Sequence, residues 1–231
     1  MNKLLLALSL FVVVSCSSSK FPPKVFNLHT HMGKSTVALV TKDDDGIHKP
    51  YCTGTFISER LILTAAHCVE HKVPDGTDSP IGLALNYIVE DEVTGIGQEP
   101  SAVHLATAIK VDHDHDLALL EAVSLIPDHE MAHLARTSPP IGDKVLITGQ
   151  AHGLYWTYIE GSVSNYRAYV PGDDRKSSYL QIDSHMFFGD SGAGVFNTDG
   201  EIVAVAEAIM PSIPGVGWCI CLRNVKDFLK S

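Results

Sequence analysis

The sequence is short of basic residues and of long apolar runs, and each shortage excludes a class of protein. Lys and Arg number 17 against 27 Asp and Glu, which gives a formal net charge of −10. Binding to a phosphate backbone needs clustered Lys and Arg, and no such cluster occurs, so nucleic acid is excluded as a partner. The longest apolar run, residues 4–14, is broken only by Ser9 and is too short for a transmembrane helix.

That apolar run is instead typical of a secretory signal peptide. It follows the short positive stretch Met1-Asn2-Lys3 and is followed by Cys16 and three serines. This arrangement resembles the bacterial lipobox, in which the cysteine is lipidated and becomes the mature N-terminus. We expect a signal peptide over 1–15, lipidation at Cys16 and a tether over 16–33. The chain would then be exported and anchored to a bacterial membrane, on its periplasmic or outer face. An ordinary signal peptide that contains a cysteine is the alternative.

Cysteine is scarce beyond position 16. The remaining four are Cys52, Cys68, Cys219 and Cys221. An exported chain reaches an oxidising compartment, where disulfides are permitted, but spacing alone does not decide which cysteines pair.

Helical periodicity is nearly absent from the sequence. Short β-branched and apolar runs, such as residues 35–41, 60–64, 117–122 and 202–208, are bounded by Gly, Pro, Asp and Asn. About a dozen such runs indicate an all-β sandwich or barrel. The Pro- and Gly-marked connection at 130–143 divides them into two groups. We therefore predict two six-stranded antiparallel β-barrels, over 34–135 and 136–231.

The end of the chain is the exception to the β pattern. Val225, Phe228 and Leu229 recur at helical spacing after Asn224, a residue type that caps helix N-termini. A short C-terminal helix capped by Asn224 is therefore expected.

Three residues carry the pattern of a nucleophilic site. Ser191 lies in a glycine-rich stretch, residues 188–194, where the backbone can turn sharply and approach a ligand. A hydroxyl must be activated by a base, which a third group must orient. His67 ends an apolar strand in TAAHC, and Asp116 begins another in DLALL, where a buried carboxylate needs a partner. Alone, His67 would also fit a buried structural histidine.

The motifs TAAHC, DLALL and GDSGAG occur in the order His67, Asp116, Ser191, and together they resemble the trypsin-like (chymotrypsin-fold) serine peptidases. The similarity runs from about Thr36 to the C-terminal helix. It implies that Ser191 is the nucleophile, His67 the general base and Asp116 the group that orients it. The N–H groups of Gly189 and Ser191 would then form the oxyanion hole.

The same resemblance implies a disulfide between Cys52 and Cys68, which would hold the turn that carries His67. The pairing of Cys219 and Cys221 stays open. Buried free thiols and a bridge to another chain are both compatible with the sequence.

The resemblance also implies a set of substrate-binding residues: His185, Phe188, Glu207, Ala208, Ile209 and Gly217. His185, six positions before Ser191, would lie at the base of the primary pocket, so the aspartate that selects Arg or Lys is absent. Residues 207–209 would form an edge strand to which substrate adds. The branched Ile209 would narrow the pocket and favour small or medium apolar side chains. Attraction of an acidic side chain by protonated His185 is the alternative.

The resemblance also bears on how the enzyme would be activated. In animal members of the family that this chain resembles, a cut frees an Ile-Val-Gly-Gly N-terminus, which pairs with the aspartate before the serine and activates the enzyme. This chain has no such sequence, so we expect constitutive activity, with Asp190 held by hydrogen bonds inside the barrel. Cleavage after Lys24, before Val25, is the alternative.

The histidine pairs 29/31 and 113/115 could suggest a zinc site. Zinc needs three or four converging ligands, however, and Asp116 is already assigned to His67. No metal and no cofactor is expected.

The sequence therefore predicts a membrane-tethered, monomeric serine endopeptidase that acts on peptide or protein substrates. Two alternatives remain open. One is a catalytically silent lipoprotein that keeps the protease fold as a binding surface. The other is a self-processing or esterase-like hydrolase. The substrate, the membrane and a bacterial or phage origin are not decided by the sequence.

Overall fold

The chain folds into two β-barrels in the computed structural model, which describes residues 27–42, 48–70, 81–85, 103–169, 177–209 and 214–231. The expected signal peptide, Cys16 and the Lys24-Val25 bond lie outside these residues. Within the described ranges, no helix has the length and apolar character needed to cross a membrane.

The first barrel is closed by six antiparallel strands. They are β1 (Thr36–Lys42), β2 (His48–Phe56), β3 (Leu61–Thr64), β4 (Ile81–Leu85), β5 (Val103–Asp112) and β6 (Leu117–Ala122). Their order is β1-β2-β3-β6-β5-β4, and pairing of β1 with β4 closes the cylinder. Apolar side chains of β1, β2, β3 and β6 fill its core, among them Val37, Leu39, Phe56, Ile62 and Leu120.

The second barrel has the same strand count and sense. Its strands are β7 (Lys144–Gly149), β8 (Thr157–Arg167), β9 (Tyr179–Ser184), β10 (Gly194–Phe196), β11 (Ile202–Ile209) and β12 (Val216–Cys221). The order is β10-β11-β12-β9-β8-β7, and β7 pairs with β10 to close it. The predicted all-β fold of two six-stranded barrels with a short C-terminal helix is confirmed.

The C-terminal helix α2 (Leu222–Lys230) begins earlier than predicted. The extended residue Cys221 precedes it directly, so Asn224 lies inside the helix and its predicted role as the N-cap is wrong. Asn224 is buried, and its Oδ1 accepts a hydrogen bond from the Ser178 amide at 3.2 Å. A tertiary partner has therefore replaced the local capping role of this side chain.

A second helix, α1 (Leu28–Ser35), occupies residues where the sequence predicted the end of a tether. Asn27 caps it, since its Oδ1 accepts a hydrogen bond from the Thr30 amide at 3.1 Å. Met32 is fully buried in a cluster with second-barrel residues, and His31 Nδ1 lies 2.7 Å from Glu130 Oε2. Burial of Met32 holds α1 against the barrels, so the tether expected over 16–33 does not extend past Asn27.

A large apolar cluster joins the two barrels and the C-terminal helix. Leu63, Leu117 and Leu119 of the first barrel pack there with Tyr179, Val205, Trp218 and Ile220 of the second and with Val225 and Phe228 of α2. The Lys110 ammonium of β5 also donates to the Phe228 carbonyl. Helix α2 thus joins the two barrels.

The two remaining cysteines lie in the core of the second barrel. Cys219 and Cys221 are buried and carry free thiols. Burial raises the pKa of Cys221 to about 12 and that of Cys219 well above its ordinary value. Both thiols therefore stay protonated at neutral pH.

Candidate active site

The best-defined pair of the site is His67 and Asp116. His67 lies in a 3-10 turn, Ala66–Cys68, directly after β3, and Asp116 immediately precedes β6. Because β3 and β6 are paired from Thr64↔Ala118 onward, the two residues lie side by side although 49 positions separate them. Asp116 Oδ2 lies 2.8 Å from His67 Nδ1, and its Oδ1 accepts a hydrogen bond from the His67 amide at 2.9 Å. Both carboxylate oxygens are thus used to fix the histidine.

Asp116 is held in an unusual backbone conformation. Its φ of +54° lies in the left-handed region, which costs free energy for a residue with a Cβ. The loop before it is tied by His115, whose amide and Nδ1 contact the Asp112 carboxylate at 3.1 and 2.8 Å. Burial alone would raise the pKa of Asp112, but these contacts with His115 outweigh it and the pKa is lowered. The Asp116 carboxylate itself is 3% exposed and points at His67, while His67 stays half exposed.

The turn that carries His67 is fixed to the neighbouring strand. The predicted disulfide between Cys52 and Cys68 is confirmed, and it joins β2 to this turn. The Tyr51 hydroxyl donates to the Cys68 carbonyl at 3.1 Å, and burial raises the pKa of Tyr51 to about 12. His67 and its turn are therefore held by the Cys52–Cys68 disulfide and by the side chains of Tyr51 and Asp116.

Ser191 is contributed by the second barrel, in the loop before β10. We call residues 187–191 of this loop the nucleophile loop, after the role expected for Ser191. The main-chain carbonyl of Ser191 accepts a hydrogen bond from the Thr53 amide of β2 at 2.8 Å, and Cys68 Sγ lies 3.6 Å from the same oxygen. The loop thus contacts the disulfide that holds the His67 turn. The Ser191 hydroxyl donates to the Glu207 carbonyl at 2.9 Å.

Every carbonyl from Phe187 to Ser191 has a hydrogen-bond donor. The donors, in order, are the Asp190 amide at 3.1 Å, the His152 amide at 2.8 Å, the Thr53 hydroxyl at 2.8 Å, the Ala193 amide at 3.0 Å and the Thr53 amide at 2.8 Å. Among the described residues, the amides of Gly189 and Ser191 donate to no protein group. In a trans peptide the N–H points opposite to the C=O. Fixing the carbonyls of Phe188 and Asp190 therefore fixes the direction of these two amides.

Gly189 can be replaced by no other residue without strain. Its φ is +103°, and a Cβ there would lie 2.2 Å from the Gln150 carbonyl oxygen. That oxygen accepts a hydrogen bond from Gly153 at 2.9 Å, so it is not free to move away. The loop needs glycine for both conformation and space.

Asp190 is fully buried behind the loop. Its Oδ2 accepts a hydrogen bond from the Phe187 amide at 2.8 Å, and its Oδ1 lies against Gly149. Burial raises the pKa of Asp190 to about 6, although the amides of Phe187, Gln150 and Ala151 lower it. Within the described ranges, Asp190 Oδ1 makes no hydrogen bond of good geometry. The contacts that Asp190 makes here all lie within the second barrel.

The structure places His185 at the surface and Met186 inside. The two-residue period of β9 continues past its end, so Ser184 and Met186 are buried while Asp183 and His185 are exposed. A Cβ on Gly217 would lie 2.6 Å from Met186 Sδ, so Met186 fills the space beside Gly217. Strand alternation of apolar residues was the sequence signal that could have identified Met186 in place of His185.

The other expected substrate-binding residues lie on the loop that carries Ser191, on β11 and on β12. Phe188 belongs to the nucleophile loop and is 66% exposed. β12 pairs with one edge of β11 through Ile209↔Gly217, whereas β10 pairs with the other edge between Val205 and Ile202. The described β10 ladder thus stops short of residues 207–209.

The histidines considered as zinc ligands are divided among different partners. His113 contacts Glu70 at 2.9 Å, His115 contacts Asp112, His31 contacts Glu130, and His29 packs on Tyr158. A group of three donors does occur at Cys52, His67 and Cys68, but the disulfide uses both sulfurs. This group is therefore not a metal site.

Sequence reasoning missed Thr53. It is fully buried on β2, and its hydroxyl and amide both bind the nucleophile loop of the other barrel. The sequence shows that Thr53 follows Cys52, but its hydrogen-bond partner Gly189 lies 136 residues further along the chain. No local pattern reports a contact at that separation.

The chain matches a known peptidase family in sequence. Residues 52–205 match the family described as trypsin-like peptidase domain. The chain is 31% identical over 182 residues to a probable periplasmic serine endoprotease DegP-like from Rhizobium meliloti, covering 78% of this chain and 32% of that protein. It is 28% identical over 129 residues to a serine protease HtrA-like from Staphylococcus aureus, covering 50% of this chain and 16% of that protein. The chain thus spans a third or less of the length of these relatives.

Solved structures are similar in fold. The active form of the Rv3671c protease from M. tuberculosis aligns with a TM-score of 0.67 at 17% identity, covering 88% of this chain and 82% of that one. The serine endoprotease from Yersinia pestis aligns with a TM-score of 0.65 at 20% identity, covering 91% and 67%.

Proposed function

The chain belongs to the trypsin-like peptidase family, and from that premise we propose that it is a serine endopeptidase that cleaves peptide bonds through Ser191, His67 and Asp116. The observation that carries the proposal is the His67–Asp116 pair, in which a buried carboxylate uses both oxygens to fix the ring and amide of a half-exposed histidine. Asp116 fixes His67 through Nδ1, and proton transfer would use the other ring nitrogen, Nε2.

The reaction follows from these groups. Ser191 rotates about its Cα–Cβ bond from the Glu207 carbonyl to His67, which takes its proton as the oxygen attacks the substrate carbonyl. Asp116 stabilises the imidazolium that forms. The amides of Gly189 and Ser191 bind the oxyanion, and removing one such donor costs about 100- to 1,000-fold in kcat. His67 then protonates the leaving amine, and water hydrolyses the acyl-enzyme by the reverse sequence.

Substrate would add as a strand beside residues 207–209, where the described β10 ladder has ended. The substrate side chain on the acyl side of the scissile bond would contact Gly217 and Ile209. Because Met186 occupies the space beside Gly217, little room is left for a long side chain, which supports the preference for small or medium apolar residues.

One experiment separates the peptidase from its two rivals. A fluorophosphonate should label purified wild type at Ser191 and should leave Ser191→Ala unlabelled, and a peptide-library digest should give products with the wild type alone. Absence of labelling in folded protein would support a silent binding protein. Labelling with turnover of small esters only, or of the protein's own N-terminal segment only, would support the esterase-like or self-processing hydrolase.

Membrane attachment through Cys16 and constitutive activity belong to the same proposal. The support for attachment is the N-terminal sequence alone, and Cys16→Ser should move the protein from the membrane to the soluble fraction. The support for constitutive activity is that Asp190 is bonded to the Phe187 amide within the barrel. N-terminal sequencing of the membrane-bound and any released form tests whether cleavage after Lys24 occurs.

A further inference from the structure

The nucleophile loop depends on one side chain from the opposite barrel. Of the five hydrogen bonds to its carbonyls, four come from main-chain amides and one from a side chain, the Thr53 hydroxyl, which donates to Gly189 O at 2.8 Å. Thr53 is fully buried, so no water competes for this bond. Gly189 O belongs to the peptide that lies between the two peptides carrying the free amides of Gly189 and Ser191.

Thr53 is itself fixed in position. The Thr64 hydroxyl donates to its carbonyl at 2.7 Å, and its amide donates to Ser191 O at 2.8 Å. A Cβ on Gly192 would lie 2.2 Å from the Thr53 carbonyl and 2.1 Å from the Thr64 hydroxyl oxygen, so loop and strand are packed without spare room. Thr53 therefore contacts the loop on both sides of Asp190 from a rigid strand.

We propose that Thr53 is a positioning residue for catalysis, which orients the oxyanion-binding amides of the second barrel relative to His67 and Asp116 of the first. The inference rests on the proposed peptidase function. With its hydroxyl removed, the Gly189 carbonyl loses its donor inside a buried site, and the peptide turns to find another. Glycine at 189 makes that turn easy, because it has no Cβ to resist a change of φ or ψ.

Rotation of this peptide should weaken the stabilisation of the transition state more than it weakens the binding of the substrate. The amides of Gly189 and Ser191 would bind the oxyanion that forms during attack, whereas residues 207–209 of β11 and Gly217 would bind the substrate beforehand. Loss of the Thr53 hydroxyl should therefore lower kcat and leave KM nearly unchanged.

The experiment compares Thr53→Val, which removes the hydroxyl at constant shape, with Thr53→Ser, which keeps it. Thr55→Val is the matched control, because Thr55 is also fully buried on β2 and its hydroxyl accepts a hydrogen bond from Gly194 at 2.8 Å, outside the loop. The readouts are kcat and KM on a fluorogenic peptide and the Kd of a peptide boronic acid, whose tetrahedral adduct uses the oxyanion hole.

For Thr53→Val we expect kcat to fall about 10- to 100-fold, KM to stay within about threefold, and the boronate Kd to rise by the same factor as kcat falls. Thr53→Ser and Thr55→Val should stay within about threefold of wild type in kcat. Wild-type kcat in Thr53→Val, failure of Thr53→Ser to restore it, or an equal loss in Thr55→Val would each overturn the inference. If Thr53→Val does not fold, Thr53→Ala removes the same hydroxyl without adding volume and takes its place.

The two proposals fail in different ways. If fluorophosphonate does not label the wild type at Ser191, the proposed function fails. If the wild type is labelled and turns over peptide while Thr53→Val does so equally well, the role of Thr53 fails alone.

Discussion

Gly189→Ala is the sharpest test of how the nucleophile loop is built. A Cβ at this position would lie 2.2 Å from the Gln150 carbonyl oxygen, and φ would have to remain near +103°. The left-handed conformation alone costs roughly 1–2 kcal/mol for a residue with a Cβ. Since Gly153 holds the Gln150 carbonyl at 2.9 Å, the alanine is accommodated by displacement of residue 189 and its amide.

Displacement of that amide removes one of the two oxyanion donors. We expect kcat to fall by about 100- to 1,000-fold, which corresponds to roughly 3–4 kcal/mol of transition-state stabilisation. KM should change much less, because ground-state contacts lie elsewhere. The assay is steady-state hydrolysis of a fluorogenic peptide, with calorimetry to confirm that the variant is folded.

Gly142→Ala is the matched control for backbone strain. Gly142 has φ of +92°, but a Cβ there meets no atom within 4 Å. It should lower the Tm by a few degrees, as expected for roughly 1–2 kcal/mol in a domain of this size, and leave kcat unchanged. If Gly189→Ala keeps kcat within threefold of wild type, or if Gly142→Ala loses as much activity as Gly189→Ala, the Gly189 amide does not have the expected role as an oxyanion donor.

Three further predictions address the supporting groups. Asp116→Asn should lower kcat by about 10⁴-fold, because the amide favours the wrong imidazole tautomer; peptide hydrolysis measures this, and a loss below tenfold would contradict the assigned role. Replacing Cys52 and Cys68 by serine opens a loop of 16 residues and should cost about 3 kcal/mol, seen by calorimetry as a Tm lower by roughly 6–12 °C; an unchanged Tm would refute it. The pKa of Asp190 is raised from 3.8 to about 6. Between these two pH values, Asp190 is therefore still protonated in the native state but already ionised in the unfolded chain. Relative to Asp190→Asn, stability should therefore be greatest below about pH 4 and fall by up to roughly 3 kcal/mol as the pH rises through 6, and a urea-midpoint difference that is constant from pH 4 to 7 would contradict this.

The sequence was sufficient to predict the architecture, and it also selected the residues of the candidate site. Alternating and continuous apolar runs of strand length predict β structure locally, and a dozen of them with one central break predict two barrels. Ser191, His67 and Asp116 could be selected because each stands in a short motif whose residues are adjacent in the chain. The disulfide of Cys52 and Cys68 followed from the same family resemblance.

Several local expectations failed because a tertiary contact outweighed a local preference. Asn224 was expected to cap a helix, but its carboxamide is used by the Ser178 amide and the helix begins at Leu222. The end of the expected tether is helical because Met32 is buried. His185 is at the surface because the β9 alternation continues and turns Met186 inward.

What the sequence by itself determined is therefore the set of strands and the types of reacting groups, since both depend on residues within a few positions of one another. Only the tertiary structure decided how those groups are held. The Thr53 hydroxyl reaches Gly189 across 136 residues, and Asp116 reaches His67 across 49. Such hydrogen bonds depend on strand register and on the packing of one barrel against the other, and these are fixed only when the whole chain has folded.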